Sequence, residues 1–294
     1  MRYPASMTLY LVATPIGNLE DITLRALRIL GETPLIAAED TRAARVLLRH
    51  HGIATRVTSY HDVNKRSKLP VMLARLREGD LALISEAGTP GINDPGYELV
   101  VAAAAEGIAV TAVPGPSAPL AALAVSGLPA DRFVYEGFLP RKRGERRRAL
   151  QALADDRRTL ILLEAPHRLR ESLDDVLTVL GNRKIAVCRE LTKLHEEVFR
   201  GDVTGAIAHF SQPRGEIVLV IGGASGGPDG GAVAGLIAEG LAQGTPPARL
   251  AAAIASQTGE RRQTVYQAIL DTVGTTARQK KDALDPTEVR RKTR

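Results

Sequence analysis

Cysteine is almost absent from this 294-residue chain, where Cys188 stands alone. Neither a disulfide framework nor a cysteine-based zinc site can be built from it, and a reducing, cytoplasmic setting is expected. Tryptophan is missing, and four Phe with six Tyr leave few aromatic faces, a poor supply for reading unpaired bases by stacking. No apolar run reaches the ~18 residues that a membrane-spanning helix needs. Met1 to Ser6 hold one Arg and no apolar segment, so no secretory signal is expected there, and Met7 is an alternative start. A Gly-x-Gly-x-x-Gly fingerprint and a Walker loop are also missing, which removes standard dinucleotide and triphosphate designs. The six histidines lack metal-ligand spacing, and no metal is expected.

What is present is a regular alternation. Leu9 to Ala13, Leu35 to Ala38, Val57 to Tyr60, Leu81 to Ile84 and Ala109 to Val113 read as strands, with a helix in each interval. The first helix is expected to be capped by Asp21, to share Ile22, Ala26 and Leu30 on one face, and to stop at Gly31. Such alternation predicts an α/β fold with a mainly parallel sheet. After Pro114-Gly115-Pro116, Ser117 suits the cap of an alanine-rich helix ending at Ser126-Gly127. Strands near Phe133 to Glu136, Thr159 to Leu163, Ile185 to Arg189 and Glu216 to Ile221 then suggest a second α/β domain. The expected domains are 8–118 and 119–223, a Gly-rich linker at 224–231, and a small, basic, helical domain at 232–294. In that last domain Pro247 to Gln257 and Arg261 to Leu270 flank Thr258-Gly259-Glu260 like a helix-turn-helix, presenting Arg261 and Arg262 outward.

The net charge is +6, from 39 Lys and Arg against 33 Asp and Glu. Its distribution says more than its size. Arg141, Lys142, Arg143, Arg146, Arg147 and Arg148 crowd one segment, and Arg278 to Arg294 form a second basic tract. A solvated linker and tail would look the same; so would two grips on a polyanion.

The most constrained loop is Ser85-Glu-Ala-Gly-Thr-Pro-Gly-Ile-Asn-Asp-Pro-Gly96, set directly after the Leu81 to Ile84 strand. Loops at the carboxyl ends of strands are where open α/β sheets bind small molecules. Asp94, before Pro95-Gly96, fits a helix cap as well as a chemical role. Glu86, Glu136 and Glu164 each end a predicted strand, so a polar cluster is expected if those ends converge. Cys188 lies in an apolar run and reads as core.

Six segments in order carry a more specific signal. They are Val12-Ala-Thr-Pro-Ile-Gly-Asn18, Ala38-Glu-Asp-Thr-Arg42, the Ser85 to Gly96 loop, Val113-Pro-Gly-Pro-Ser-Ala118, Phe138-Leu-Pro-Arg-Lys142 and Glu164-Ala-Pro-His-Arg168. Together they resemble the small-subunit ribosomal RNA methyltransferase I branch of the tetrapyrrole methylase superfamily, over roughly Thr8 to Gly223. The resemblance implies two α/β domains with S-adenosylmethionine in the cleft between them, a small C-terminal helical domain, and a homodimer. It also implies 2'-O-methylation of a cytidine in the decoding centre of 16S ribosomal RNA, on naked RNA or the assembled small subunit. Branches that methylate tetrapyrroles or diphthine intermediates carry Gly-Asp-Pro where this chain has Gly88-Thr89-Pro90. Cofactor contacts implied by the motifs are Pro15, Ile16, Gly88, Thr89, Pro90, Ile92, Ser117, Ala118, Glu164 and Ala165, several through backbone groups.

A ribose hydroxyl is a poor nucleophile at neutral pH, so a carboxylate base would help, and Glu86, Asp94 and Glu136 are the candidates. The arginine-rich segment and the C-terminal domain would hold RNA phosphates. Two rival readings remain open from the sequence: a methyltransferase acting on a tetrapyrrole or other small metabolite, and a non-catalytic nucleic-acid-binding protein.

Overall fold

A computed structural model describes residues 7–224, 230–258 and 262–283, with backbone alone for 230–232 and 274–283. The expected leading extension, Arg261 and the end of the basic tail lie outside the described residues.

The first half is a five-stranded parallel sheet built from β1 (Thr8–Val12), α1 (Leu24–Glu32), β2 (Leu35–Ala38), α2 (Thr41–His50), β3 (Val57–Ser59), α3 (Lys65–Leu76), β4 (Leu81–Ile84), α4 (Tyr97–Ala105) and β5 (Ala109–Val113). Strand order is β3-β2-β4-β1-β5. The central strand β4, Leu-Ala-Leu-Ile, is buried throughout, as a strand covered by helices on both faces must be. The chain leaves β1 towards β2 and leaves β4 in the opposite direction towards β5. Their carboxyl ends therefore flank the topological switch point, where such sheets open a crevice.

Two helix ends differ from the expected ones. Thr23, not Asp21, caps α1, its side chain accepting from the Ala26 amide at 3.1 Å. Gly31 lies inside that helix, which runs on to a cap at Thr33. Tertiary packing of Ala26, Ile29 and Leu30 outweighs one glycine.

The second half holds α5 (Ala118–Ser126), β6 (Phe133–Phe138), α6 (Arg143–Ala152), β7 (Thr159–Glu164), α7 (Leu169–Leu180), β8 (Lys184–Arg189), β9 (Glu197–Asp202), α8 (Val203–His209) and β10 (Ile217–Ile221). Its sheet, ordered β6-β7-β10-β8-β9, is mixed: β10 runs antiparallel to both β7 and β8. Strand β9 was not foreseen, because Glu197–Asp202 is half polar and shows no apolar run. Helix α5 packs Ala122 and Leu123 against Cys188, Val218 and Val220, and Ile16 from the first half joins that cluster. Residues up to Gly223 accordingly form one compact unit carrying both sheets.

Ala224 onward forms a second unit. It contains α9 (Gly230–Ala242), α10 (Pro247–Thr258) and α11 (Arg262–Ala283) around Ile237, Leu250, Ile254, Val265 and Ile269. Helix α9 begins inside the stretch expected to be a tether, and α11 runs well past Leu270.

Between α6 and α7 lies a buried ionic knot. Asp175 is fully buried and accepts from Nε of Arg143, Arg146 and Arg147 at 3.2, 2.7 and 2.6 Å. Burial pushes its carboxyl up, but the hydrogen bonds from Arg147, Arg146 and Arg143 outweigh that and hold it below the ordinary range. Arg146 is itself only 1 % exposed. Removing one partner strands a buried charge. Asp175→Ala is expected to cost about 3–5 kcal/mol in urea denaturation, whereas Arg143→Ala, at the exposed edge, changes stability far less.

Candidate cofactor and catalytic site

The site is built where the loops after β1 and β4 meet. Thr14 and Gly88 exchange backbone hydrogen bonds, N to O at 2.9 and 3.0 Å, a single antiparallel bridge between two otherwise parallel strands. The β4 loop then folds tightly. At Gly96, φ is +153° and a Cβ would lie 3.0 Å from the Leu83 side chain, so only glycine fits. Asn93 also adopts a positive φ, of 65°. Its side chain lies so close to Gly137 of β6 that a Cβ there would come within 2.4 Å of Nδ2. Thr89 Oγ1 donates to the Pro116 carbonyl at 3.3 Å, tying this loop to the start of α5.

These contacts enclose a cavity of about 410 Å³ between the two sheets. Ile16, Gly88, Thr89, Ile92, Ser117, Ala118, Glu164 and Ala165 all line it. Pro15 instead faces an adjoining chamber. Pro90 is buried in the loop and lines neither. Ser117 occupies the N-cap position of α5 without a side-chain cap bond, contrary to its expected capping role.

Glu164 is tied down rather than free. One of its oxygens accepts from the Ala165 amide at 2.8 Å and lies 3.3 Å from Arg168 Nε; the other accepts from the Ser172 hydroxyl. Arg168 in turn donates to the Leu139 and Pro140 carbonyls at 2.7 and 3.2 Å. Any contact of Glu164 with a ligand falls to its backbone.

The three candidate bases separate clearly. Asp94 is half-buried and lines the cavity. It does not cap α4, whose N-cap is Gly96. Burial, then the charge of Glu39, raises its carboxyl to about 6, against a hydrogen bond from Ser85; Glu86 and Asp62 push the same way as Glu39. Glu86 also lines the cavity, but is exposed. Glu136 does not join them: it sits at the bulge of β6, exposed and outside the lining, with its charge acting on Arg158. Side chains alternate along a strand, and the cavity receives the neighbouring Tyr135 instead.

Glu39 and Tyr135 are the two titratable residues deepest in the chemistry of the site among those the sequence did not single out, alongside lining residues such as Leu163, Glu216 and Ile217. Glu39 lines the cavity, accepts from the Glu86 amide at 3.2 Å, and has its carboxyl raised by burial and then, against that bond, by Glu86 and Asp62. Burial and the charge of Asp94 raise the Tyr135 hydroxyl. Cys188 is buried core, its thiol pushed up to about 11 by burial.

The basic segment does not act as one patch. Arg141, Lys142, Arg143 and Arg148 are exposed, Arg147 is half-buried on Asp175, and Arg146 is enclosed and cannot reach a polyanion. In the second unit Arg262 is exposed, 3.5 Å from the Ala248 carbonyl. Among the described residues no group of three or more His, Cys, Asp and Glu is placed to hold a metal ion, and no helix is long and apolar enough to cross a membrane.

Comparison with known proteins places this geometry. The profile of the tetrapyrrole (corrin/porphyrin) methylases matches residues 8–207. A protein of Halalkalibacterium halodurans named ribosomal RNA small subunit methyltransferase I is 52% identical over 219 residues, 74% of this chain and 76% of its own. The protein of that name from Escherichia coli O157:H7 is 44% identical over 273 residues, 90% of this chain and 96% of its own. Among solved structures, diphthine synthase superposes with a TM-score of 0.57 at 13% identity, covering 73% of this chain and 90% of that one. The uroporphyrin-III-C-methyltransferase of Thermus thermophilus gives 0.53 at 22%, covering 72% and 93%; both likenesses concern the fold alone. The chain therefore belongs to the tetrapyrrole methylase family, in its ribosomal RNA small subunit methyltransferase I branch.

Proposed function

We propose that this S-adenosylmethionine-dependent ribosomal RNA methyltransferase modifies the 2'-hydroxyl of a cytidine ribose in the decoding centre of 16S ribosomal RNA, as a homodimer. The observation that carries this reading is identity of 44–53% to proteins named ribosomal RNA small subunit methyltransferase I, over most of this chain. The cytidine, the 2'-oxygen and the dimer rest on resemblance to that branch.

The residues present suit S-adenosylmethionine. The cavity offers apolar walls at Ile16, Ile92, Leu163 and Ile217, and the start of α5 brings Ser117 and Ala118 to its lining. Asp94 and Glu39, whose strongest charged influences are all negative, favour a ligand with positive character. When bound, S-adenosylmethionine supplies a methyl group already made electrophilic by a sulfonium.

The chain then has three tasks. Ile16, Thr89 and Ala165 enclose the site and exclude water. Asp94 accepts the proton of the attacking hydroxyl; with its carboxyl near 6 it is ionised at neutral pH, yet holds a proton more tightly than an ordinary aspartate. Glu86 and Glu39 sustain that basicity through their charge. Arg141 and Arg148 lie exposed on the segment after β6, in position to meet phosphates, beside Lys142, which pairs with Glu145 at 3.3 Å.

Transfer of labelled methyl to purified small subunits, followed by nucleoside mass spectrometry, tests the reading directly. A 2'-O-methylcytidine is expected; a methylated base or no product overturns it. Asp94→Asn should lower transfer by about 10²–10⁴-fold while the protein still binds cofactor. The wild-type rate should rise with pH and level off above about 6. Glu86→Gln, which removes a charge that raises Asp94, should move that inflection to lower pH.

The same residue sets a stability profile. A folded carboxyl raised above its unfolded value binds protons better in the folded state. Its contribution is thus present at low pH and lost as pH climbs from about 4 through about 6. Asp94→Asn should therefore melt above the wild type at pH 8 and coincide with it below pH ~4. Replacing Arg141 and Arg148 together by Ala should flatten the salt dependence of RNA binding by roughly 1.5 in log–log slope, without altering thermal stability.

A further inference from the structure

Beside the cofactor cavity lies a second chamber of about 300 Å³ that nothing above uses. The two share Ile16, Glu86, Ala87 and Glu216 as a common wall. Most of its remaining lining is aliphatic, from Leu19, Ala43 and Leu47 among others, with Ser85 as a polar neighbour. Thr14 lines it too, and its hydroxyl is buried with no hydrogen-bond partner in the protein. A buried hydroxyl left unpaired is costly, and the Thr14 side of the chamber is where a polar edge would relieve it. The rim is fixed by Lys193, which bridges Glu190 and Glu216 at 3.0 and 3.1 Å. Lys193 also packs so tightly on Gly17 that a Cβ there would meet its Cγ at 2.5 Å.

We propose that this chamber receives one ribonucleotide extruded from the RNA, with its sugar at the shared wall and its base among the aliphatic residues. The proposal rests on the ribosomal RNA reading above. Its size is that of the smallest ligand pockets, about 300 Å³, which suits one nucleoside and not a four-ring macrocycle. An enzyme that modifies a nucleotide held in folded RNA has to bring it out of the stack into an enclosing pocket. Direct transfer needs the ribose oxygen against the methyl carbon as the sulfur–carbon bond breaks, and the two chambers adjoin at the shared wall, where Glu86 lines both. Helix α2 contributes Ala43 and Leu47 to the chamber, turns Arg45 and Arg49 to its other face beside a separate hollow, and pairs Arg42 with Asp40 at 3.1 Å. With ten aromatic residues in the chain, aliphatic enclosure replaces stacking as the means of holding the base.

The test uses the full-length protein and purified small subunits. Ala43→Phe fills the chamber from α2, Val46→Trp blocks it from an exposed position on the same helix, and Thr14→Val removes the unpaired hydroxyl. Cofactor affinity is read by calorimetry, and methyl transfer under single turnover. The expected result is cofactor affinity within twofold of wild type in all three. Transfer should fall about 100-fold in the two filled variants, the scale of a misplaced acceptor, and less in Thr14→Val. Transfer within threefold of wild type in Val46→Trp overturns the proposal, even if Ala43→Phe fails to fold. Loss of cofactor affinity in a variant that folds also overturns it, since the chamber would then belong to the cofactor. A wild-type protein that ignores small subunits but methylates a small metabolite removes the underlying reading instead, and is distinguished by needing no variant.

Discussion

Two backbone hydrogen bonds between Thr14 and Gly88 hold together the two loops on which the cofactor site depends. Parallel neighbours such as β1 and β4 normally diverge beyond their last paired residues, because their chains leave in opposite directions at the switch point. Here the two exits are pinned together for one further residue pair. The consequence is a partition: the pinned loops present Ile16 and Ala87 as a wall with a chamber on each side. A bridge made of backbone puts no demand on side-chain type beyond a glycine at φ +76°, so the wall's chemistry could vary while its position stayed fixed.

The electrostatics of the site run against those of its surroundings. At the floor of the cleft the charge of Glu86 raises the proton affinity of both Glu39 and Asp94, and that of Glu39 raises Asp94 further, while the exposed arginines of α2 and of the segment after β6 present the opposite sign. A polyanion approaching such a surface is drawn to the rim and repelled from the floor. It can settle only if the group reaching the floor is uncharged, as a ribose hydroxyl is, and if a cationic ligand is already there. Like charges crowded in a half-buried site lower stability, and that cost persists at sites where the chemistry needs it.

Much of this was legible in the chain. The first sheet could be read because parallel strands buried on both faces appear as unbroken apolar runs, Leu81-Ala-Leu-Ile84 above all. The cofactor loops were legible because glycine and proline mark backbone geometry directly. What could not be read depends on which way a side chain turns. Strand β9 is half polar because it lies at a sheet edge. Glu136 reads in the sequence as a strand end, as Glu86 does, yet β6 runs on to Phe138 and the bulge beside Glu136 sends Tyr135 to the cavity in its place. Glu39 lies in the Ala38 to Arg42 segment, but its role appears only once β2 and β4 are neighbours and the Glu86 amide bonds to it.

The arginine run from 141 to 148 shows how far a charge pattern can be trusted. On a helix, residues three or four apart share a face, so Arg143, Arg146 and Arg147 turn together towards α7 and meet one carboxylate, Asp175. Arg141 precedes the helix and Arg148 projects from its other side, and these two stay in solvent. Half of the apparent nucleic-acid patch is thus the clamp that orients the other half. Because α6 follows directly on β6, the strand carrying Tyr135, that clamp also fixes one wall of the cofactor cavity. Basic residues in one short segment therefore serve two ends: a buried anchor that sets geometry, and exposed charge that depends on it.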